Sequence, residues 1–187
     1  MNNFDHMRAR LYAAAGLFDK PARRHKLEDL EKNEWSPDFE RLMRARSVVF
    51  SDEFARLMRN RLIMGALRYS TMAEKRLKPH RWDLLGAMTK KMDLWRSTGN
   101  TEALVDAANY LLLEFEIGRH PKRHHSPTYF GCIFNAEDFA QNYQDCGNTD
   151  ALVAGAVWLM KGFVSGYHPT KHFSALDDAG GHCQQKK

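Results

Sequence analysis

The fold is decided by a stretch that occurs twice, GNTEALVDAANYLLLEFEIGRHPKRHH at Gly99–His125 and GNTDALVAGAVWLMKGFVSGYHPTKHF at Gly147–Phe173. The copies start 48 positions apart, and 13 of their 27 aligned positions are identical without a gap. Each copy places apolar residues at helical spacing between a capping Asn-Thr pair and a closing glycine. The chain is therefore predicted to contain a duplicated helix–turn–helix unit whose two halves pack on each other.

The two copies keep one face of this helix and change the opposite face. The kept apolar pairs are Leu104/Leu152, Leu111/Leu159 and Phe115/Phe163. On the opposite face, the polar residues of the first copy and their replacements are Glu102/Asp150, Asp106/Ala154 and Asn109/Val157. A mainly apolar face is unfavourable in water, so the second helix is predicted to be structural and buried against another helix or a partner subunit.

The polar face of the first copy carries the candidate chemistry. Glu102 and Asp106 are one helical turn apart, with the amide of Asn109 beside them. A hard divalent cation such as Mg²⁺ uses oxygen ligands in this kind of arrangement. The alternative is an ordinary solvated polar face, as most amphipathic helices have.

The rest of the chain also indicates helices, so the predicted fold class is all-α, a helical bundle containing the duplicated unit. Ser36-Pro37 and Ser51 are typical helix starts, and a further amphipathic helix is predicted from Arg81 to Ser97. The predicted regions are an N-terminal helix (about residues 4–16) and polar connector over 1–36, a helical region with the first repeat over 37–125, a second, degenerate repeat over 126–175, and a flexible tail over 176–187.

A shorter echo lies upstream, where FERLMRAR at Phe39–Arg46 returns as FARLMRNR at Phe54–Arg61. The apolar residues form a helical stripe, and the arginines are either solvated or a basic surface for phosphates. The candidate phosphate ligands are Arg61, Arg68, Lys91, Arg119, His120 and Arg123.

Composition limits the function classes. The net charge is +5, which favours anionic partners, with nucleic acid possible but not favoured. Three cysteines without CxxC spacing indicate reduced thiols in a cytoplasm, and no apolar run is long enough to cross a membrane. The HPxxH pairs His120/His124 and His168/His172 either bind zinc or complement the ends of helices.

The segments LMRNRLIMGALRYS and STGNTEALVDAANYLLLEFEIGRHPKRHH, within Phe54–His125, resemble phage and prophage proteins similar to the MazG-like nucleotide pyrophosphohydrolases. The resemblance implies an all-α protein, often a homo-oligomer, that hydrolyses nucleoside triphosphates with Mg²⁺ held by carboxylates on two helices. Asp106 matches the Asp of the second motif of that family, ExxD, with Glu102 four residues before it.

The first motif of the family, ExxE, has no match in the helix predicted at Arg81–Ser97, which offers Asp93 instead. The metal ligands implied are Asp93, Glu102 and Asp106, and the catalytic group is Glu102, Asp106 and Asn109. Three functions stay open: Mg²⁺-dependent hydrolysis, sequestration of an anionic or signalling nucleotide without hydrolysis, for instance as a phage counter-defence sponge in the host cytoplasm, and binding of nucleic acid or a host protein.

Overall fold

The computed structural model describes residues 27–131, 135–166 and 168–173, which form helices and no strand. The helices are α1 (Leu27–Asn33), α2 (Pro37–Arg46), α3 (Asp52–Arg68), α4 (Met72–Leu77), α5 (Leu84–Thr98), α6 (Glu102–Ile117), α7 (Ala136–Cys146) and α8 (Thr149–Ser165). The all-α bundle predicted from sequence is confirmed. The N-terminal helix and the tail predicted at 4–16 and 176–187 lie outside the described residues.

Capping side chains explain where the helices begin. Ser36 and Ser51 each accept a hydrogen bond from the backbone N–H three residues on, as predicted for the starts of α2 and α3. The third amphipathic helix starts later than expected, at Leu84 instead of Arg81. Asp83 caps it at 3.1 Å, and a short 3-10 turn comes first.

The bundle is built around α6 and α8, which pack against each other. Helix α5 lies against α6, α7 lies against α8, and α2 and α3 cover the two central helices. One apolar core runs through all of these helices, from Trp35 to Met160. The regions predicted at 37–125 and 126–175 therefore share one core, because neither central helix can bury its apolar face alone.

The central helices make matching contacts with α2 and α3. Phe39 meets Phe115 with ring centroids 5.2 Å apart, and Phe54 meets Phe163 at the same separation. Phe39 and Phe54 are related by the 15-residue echo, and Phe115 and Phe163 by the 48-residue repeat. Both sequence repeats thus correspond to equivalent contacts in space.

The His-Pro turn after each central helix closes on the start of the other. The backbone N–H of Thr149 donates to the carbonyl of His124 at 2.9 Å, and that of Thr101 donates to His172 at 2.9 Å. Each histidine N–H returns a bond to the glycine two residues before the threonine, at 3.1 and 3.2 Å. This reciprocal exchange satisfies backbone groups that helix ends leave unpaired. It joins the first half, which is α5, α6 and the turn after them, to the second half, which is α7, α8 and the turn after them.

The first histidine of each HPxxH pair also binds the opposite half. Ring Nε2 of His120 bonds to the Gln144 carbonyl and that of His168 to the Arg96 carbonyl, both at 2.9 Å. Among the described residues, no group of three or more His, Cys, Asp or Glu could hold a metal ion. The ring bonds of His120 and His168 join the ends of α7 and α5 to the opposite half.

The mainly apolar face of the second central helix is buried inside the chain. Asp150, Ala154 and Val157 are each at most 6% exposed, whereas Val164 at its end is 53% exposed. The burial predicted for this face is confirmed as far as Val157, and the face no longer argues for a partner subunit. No helix in the described ranges is long and apolar enough to span a membrane.

Candidate functional site

A pocket of about 100 Å³ lies between α3, α4, α6 and the start of α5. Its charged lining consists of three basic residues and two acidic ones, so the lining carries an excess of one positive charge. These residues are Arg61, Arg68, Lys75, Glu34 and Asp106. Its aromatic lining comes from Tyr69, Trp82 and Tyr110. A concave, largely apolar space with a few converging polar groups is what ligand sites usually look like.

A buried ion-pair cluster reaches this pocket through Arg61 and Asp106. Arg61 holds Asp106 with two hydrogen bonds, from Nε to Oδ1 at 2.9 Å and from Nη2 to Oδ2 at 3.1 Å. Its Nη1 lies 3.2 Å from Glu102 Oε1, and Lys91 Nζ lies 3.0 Å from Asp106 Oδ2. All four side chains are at most 9% exposed. Bidentate hydrogen bonds between an arginine and a carboxylate are strong and directional.

Two cations balance two anions in this cluster, and this balance determines the protonation of Asp106. Burial raises the pKa of Asp106, but the charges of Arg61 and Lys91 and the hydrogen bonds they donate outweigh burial. The pKa of this carboxyl therefore lies below its ordinary value of 3.8. Asp106 is ionised at neutral pH, and removing one partner would leave a buried charge uncompensated.

The cluster does not fit the predicted Mg²⁺ site. Both oxygens of Asp106 are held by cations, and Glu102 is paired with Arg61. Asp93 lies apart, 67% exposed, and pairs with Arg96 on the surface of α5. Mg²⁺ needs several anionic oxygens that face it directly. Of the three carboxylates implied by the resemblance, Glu102 and Asp106 both face Arg61, which comes from α3, and Asp93 lies apart on the surface of α5.

Asn109 shows an unusual imbalance of hydrogen bonds. Its Nδ2 donates to the backbone carbonyl of Met58 at 3.0 Å, and only the NH₂ group can donate there, so the orientation of the amide is determined. The Oδ1 is shielded from water and accepts no hydrogen bond from the residues described. An unsatisfied buried acceptor costs about 1–3 kcal/mol, and Asn109 lines the pocket.

The three basic candidates after the first repeat helix hold the fold together. Arg119 pairs with Glu114 at 2.9 Å and donates to the carbonyl of Trp82, and His120 supports the end of α7. Arg123 donates to a backbone carbonyl of α6 at 2.7 Å. None of the three lines the pocket, so the structure does not bring them to Arg61 and Arg68. Arg119 instead positions the wall that carries Trp82.

Several pocket residues were not predicted from sequence, among them Lys75, Glu34 and Trp82. Lys75 donates to the carbonyl of Ser70 and lies 5.6 Å from the Trp82 ring. Glu34 accepts two bonds from a single backbone N–H at the start of α4, at 2.9 and 3.0 Å. The TMAE capping box at residues 71–74 marks the start of α4. The capping box does not show which part of the protein α4 packs against.

Fold and site together define an all-α bundle with a charge-balanced cluster that reaches one pocket through Arg61 and Asp106. In comparisons with protein-family models, curated proteins and solved structures, nothing matches this chain. The resemblance to the MazG-like proteins rests on the quoted segments alone and stays a prediction.

Proposed function

We propose that this chain binds a small phosphate-bearing ligand of the nucleotide class in the pocket and releases it unchanged. The observation that carries the proposal is the closed cluster, in which Arg61 and Lys91 neutralise Asp106 and Glu102. Besides this cluster and the acidic Glu34, the lining offers aromatic surface and the basic residues Arg68 and Lys75. Such groups bind an anionic ligand, whereas phosphoryl transfer needs carboxylates that hold a metal.

The energetics of the cluster also favour binding over hydrolysis. A divalent cation on Asp106 would take the place of Arg61 and Lys91, which lie within 3.1 Å of its oxygens. Both buried cations would then lose the carboxylate of Asp106, at a cost of several kcal/mol, and Arg61 would keep Glu102. Mg²⁺-dependent hydrolysis, the activity implied by the resemblance, is therefore the competing proposal.

The charge pattern of α2 and α3 favours a small ligand over a nucleic acid. Five arginines on these helices each pair with a carboxylate of this chain. The pairs are Arg41–Asp38, Arg44–Glu40, Arg46–Asp150, Arg56–Glu53 and Arg59–Glu40. Affinity for a polyanion depends on Lys and Arg that are available to neutralise phosphates. The arginine-rich echo is thus part of the framework.

The test combines a binding assay with a product assay. Calorimetry with nucleoside mono-, di- and triphosphates, with and without Mg²⁺, is expected to show binding that does not need the metal. Chromatography of the same mixtures is expected to recover intact ligand. Arg68→Ala and Lys75→Ala should each weaken binding about tenfold, the loss of one charge-assisted contact. Arg41→Ala, on the surface and paired with Asp38, is the matched control.

Two results would replace the proposal. Mg²⁺-dependent release of pyrophosphate that disappears in Asp106→Asn would establish hydrolysis. Strongly salt-dependent binding of oligonucleotides, with no affinity for mononucleotides, would establish a nucleic-acid binder.

A further inference from the structure

We infer that the ligand of this pocket is a nucleotide whose phosphate is a diester with a single negative charge, and that Glu34 is the residue that disfavours phosphomonoesters. The inference rests on the proposed function, since it specifies the charge of the phosphate that binds. Three observations support it: the charge balance of the lining, the carboxylate of Glu34 within that lining, and the contacts that hold this carboxylate in place.

The charges that line the pocket divide into a balanced group and a remainder. Arg61 and Asp106 belong to the ion-pair cluster, whose two cations and two anions sum to zero. The other charged residues of the described lining are Arg68, Lys75 and Glu34, so that two cations and one anion leave an excess of one positive charge. This excess matches a ligand with one negative charge, because an unbalanced charge withdrawn from water is unfavourable.

Phosphate esters differ in charge according to their number of ester bonds. A phosphomonoester carries about 1.5 to 2 negative charges at pH 7, whereas a phosphodiester carries one, because it keeps a single ionisable oxygen. In this lining a diester gives a balanced site, and a monoester adds a second negative charge to a site that already holds the carboxylate of Glu34. The ligand class is therefore a nucleotide diester, such as a cyclic mononucleotide or a dinucleotide.

Glu34 contributes a buried negative charge to the pocket. The residue is only 2% exposed, and both of its carboxylate oxygens accept hydrogen bonds from the backbone N–H of Met72, at 2.9 and 3.0 Å. Acceptance by both oxygens is the hydrogen bonding of an ionised carboxylate. A charge that is so little exposed is weakly screened by water and salt. It therefore repels the second negative charge of a monoester more strongly than a surface carboxylate would.

The neighbours of Glu34 along the chain hold its carboxylate at the pocket. Leu30, one helical turn earlier, is 2% exposed and packs in a small apolar cluster with side chains of α3, among them Leu67. Trp35, the next residue, donates from Nε1 to Glu40 at 2.8 Å and packs in the main core. A ligand therefore binds beside Glu34 without displacing it, and the repulsion acts on every anion that enters the pocket.

Pairs of ligands that differ by one charge test this assignment. Calorimetry on the full chain at neutral pH would compare the 5′-monophosphates of adenosine, guanosine, cytidine and uridine with the phosphate methyl ester of each. For at least one base, the methyl ester is expected to bind about tenfold more tightly than the monophosphate. Glycerophosphoglycerol, a diester without a base and the headgroup of an anionic lipid, is expected to bind more weakly than that methyl ester, because it cannot stack on the aromatic lining.

Glu34→Gln separates the charge of this side chain from its structural role. The amide oxygen of glutamine still accepts from the Met72 N–H, while the excess in the lining rises to two positive charges, which matches a monoester. Affinity for the 5′-monophosphate should rise about tenfold, and the preference for the methyl ester should disappear. Asp38→Asn is the matched control, because it removes the same charge from the exposed surface, where Asp38 pairs with Arg41. This control should keep the preference.

The outcomes separate this inference from the proposed function. Monophosphates that bind as tightly as their methyl esters, or a preference that Glu34→Gln leaves unchanged, would overturn the inference and leave phosphate binding intact. Glycerophosphoglycerol that binds as tightly as the methyl esters would overturn the assignment to nucleotides. No binding of any of these ligands would overturn the proposed function as well. Should Glu34→Gln fail to fold, the ligand pairs on the unmodified chain decide.

Discussion

The two halves of this bundle make matching backbone contacts at their helix ends but differ in their buried polar groups. In the first half, Asp106 and Lys91 add an ion pair beside Arg61 and Glu102. In the second half, Ala154 and Phe139 stand 48 residues after them, and Phe130 packs against Phe139. The second half thus lacks both the anion and the cation of this ion pair. Losing only one of them would leave the other charge buried and uncompensated.

The largest effect is expected from breaking this balance in the first half. Asp106→Ala leaves Lys91 buried without its carboxylate, and the free energy of unfolding in urea should fall by about 3–5 kcal/mol. Asp106→Ala combined with Lys91→Met removes one charge of each sign, as the second half does, and should recover about half of that loss or more. Losses that simply add in the double variant would contradict the coupling. Asp93→Ala, on the exposed surface, should change stability by less than about 0.5 kcal/mol.

A smaller loss of stability is expected from removing the Phe130 ring in the second half. Phe130→Ala removes the ring that packs on Phe139 and Arg46, and should lower the free energy of unfolding by about 1–2 kcal/mol. This is below the loss for a fully buried phenylalanine, because Phe130 is only partly buried. Ligand affinity should stay unchanged in this variant. A loss of affinity would show that the two halves are coupled or that the ligand binds at the second one.

The histidine contacts allow the equivalence of the halves to be measured directly. His120→Ala and His168→Ala each delete one ring bond to a carbonyl of the opposite half, at 2.9 Å in both cases. Each should cost about 1 kcal/mol, the usual net value of a hydrogen bond. Thermal unfolding of the two variants would show similar shifts if the contacts are equivalent, and a difference of more than about 1 kcal/mol would show that they are not.

The smallest expected effect is on how the free energy of unfolding changes with pH. Although burial raises it, the pKa of Asp106 is held below its ordinary value of 3.8 by Arg61 and Lys91. As the pH falls, the unfolded chain takes up this proton before the folded protein does, so the stabilisation is complete above the ordinary pKa and is lost as the pH falls through the folded value. Urea unfolding from pH 7 to pH 3 should therefore show a steeper decline for the unmodified chain than for the Asp106→Ala/Lys91→Met variant. Parallel declines would contradict this assignment.

Much of the helical framework could be predicted from the sequence. Ser36 and Ser51 are the caps expected of them, and the second repeat helix spans Thr149–Ser165 as its capping signals indicate. These features depend on neighbours within a few residues along the chain, so the local sequence contains the information. The beginning of α5 was misplaced because a 3-10 turn, set by Pro79 and its surroundings, delays the helix.

The candidate site was predictable only in part. Spacing along one helix placed Glu102, Asp106 and Asn109 on a common face, and the structure shows all three buried there. Arg61 and Lys91 were expected to face phosphates, yet they are paired with those carboxylates instead. A repeating pattern shows which side chains share a face and carries no information about which helix covers that face.

The residues along the chain therefore establish the helices, the duplication signal and the polar stripe of the first copy, because propensity and periodicity are local properties. Folding in three dimensions establishes what that stripe does. It brings cations from α3 and α5 onto the carboxylates and leaves Asn109 with a shielded acceptor beside a pocket. The physical reason is that the energy of a buried charge depends on the groups within a few ångströms of it, and those groups come from distant parts of the sequence.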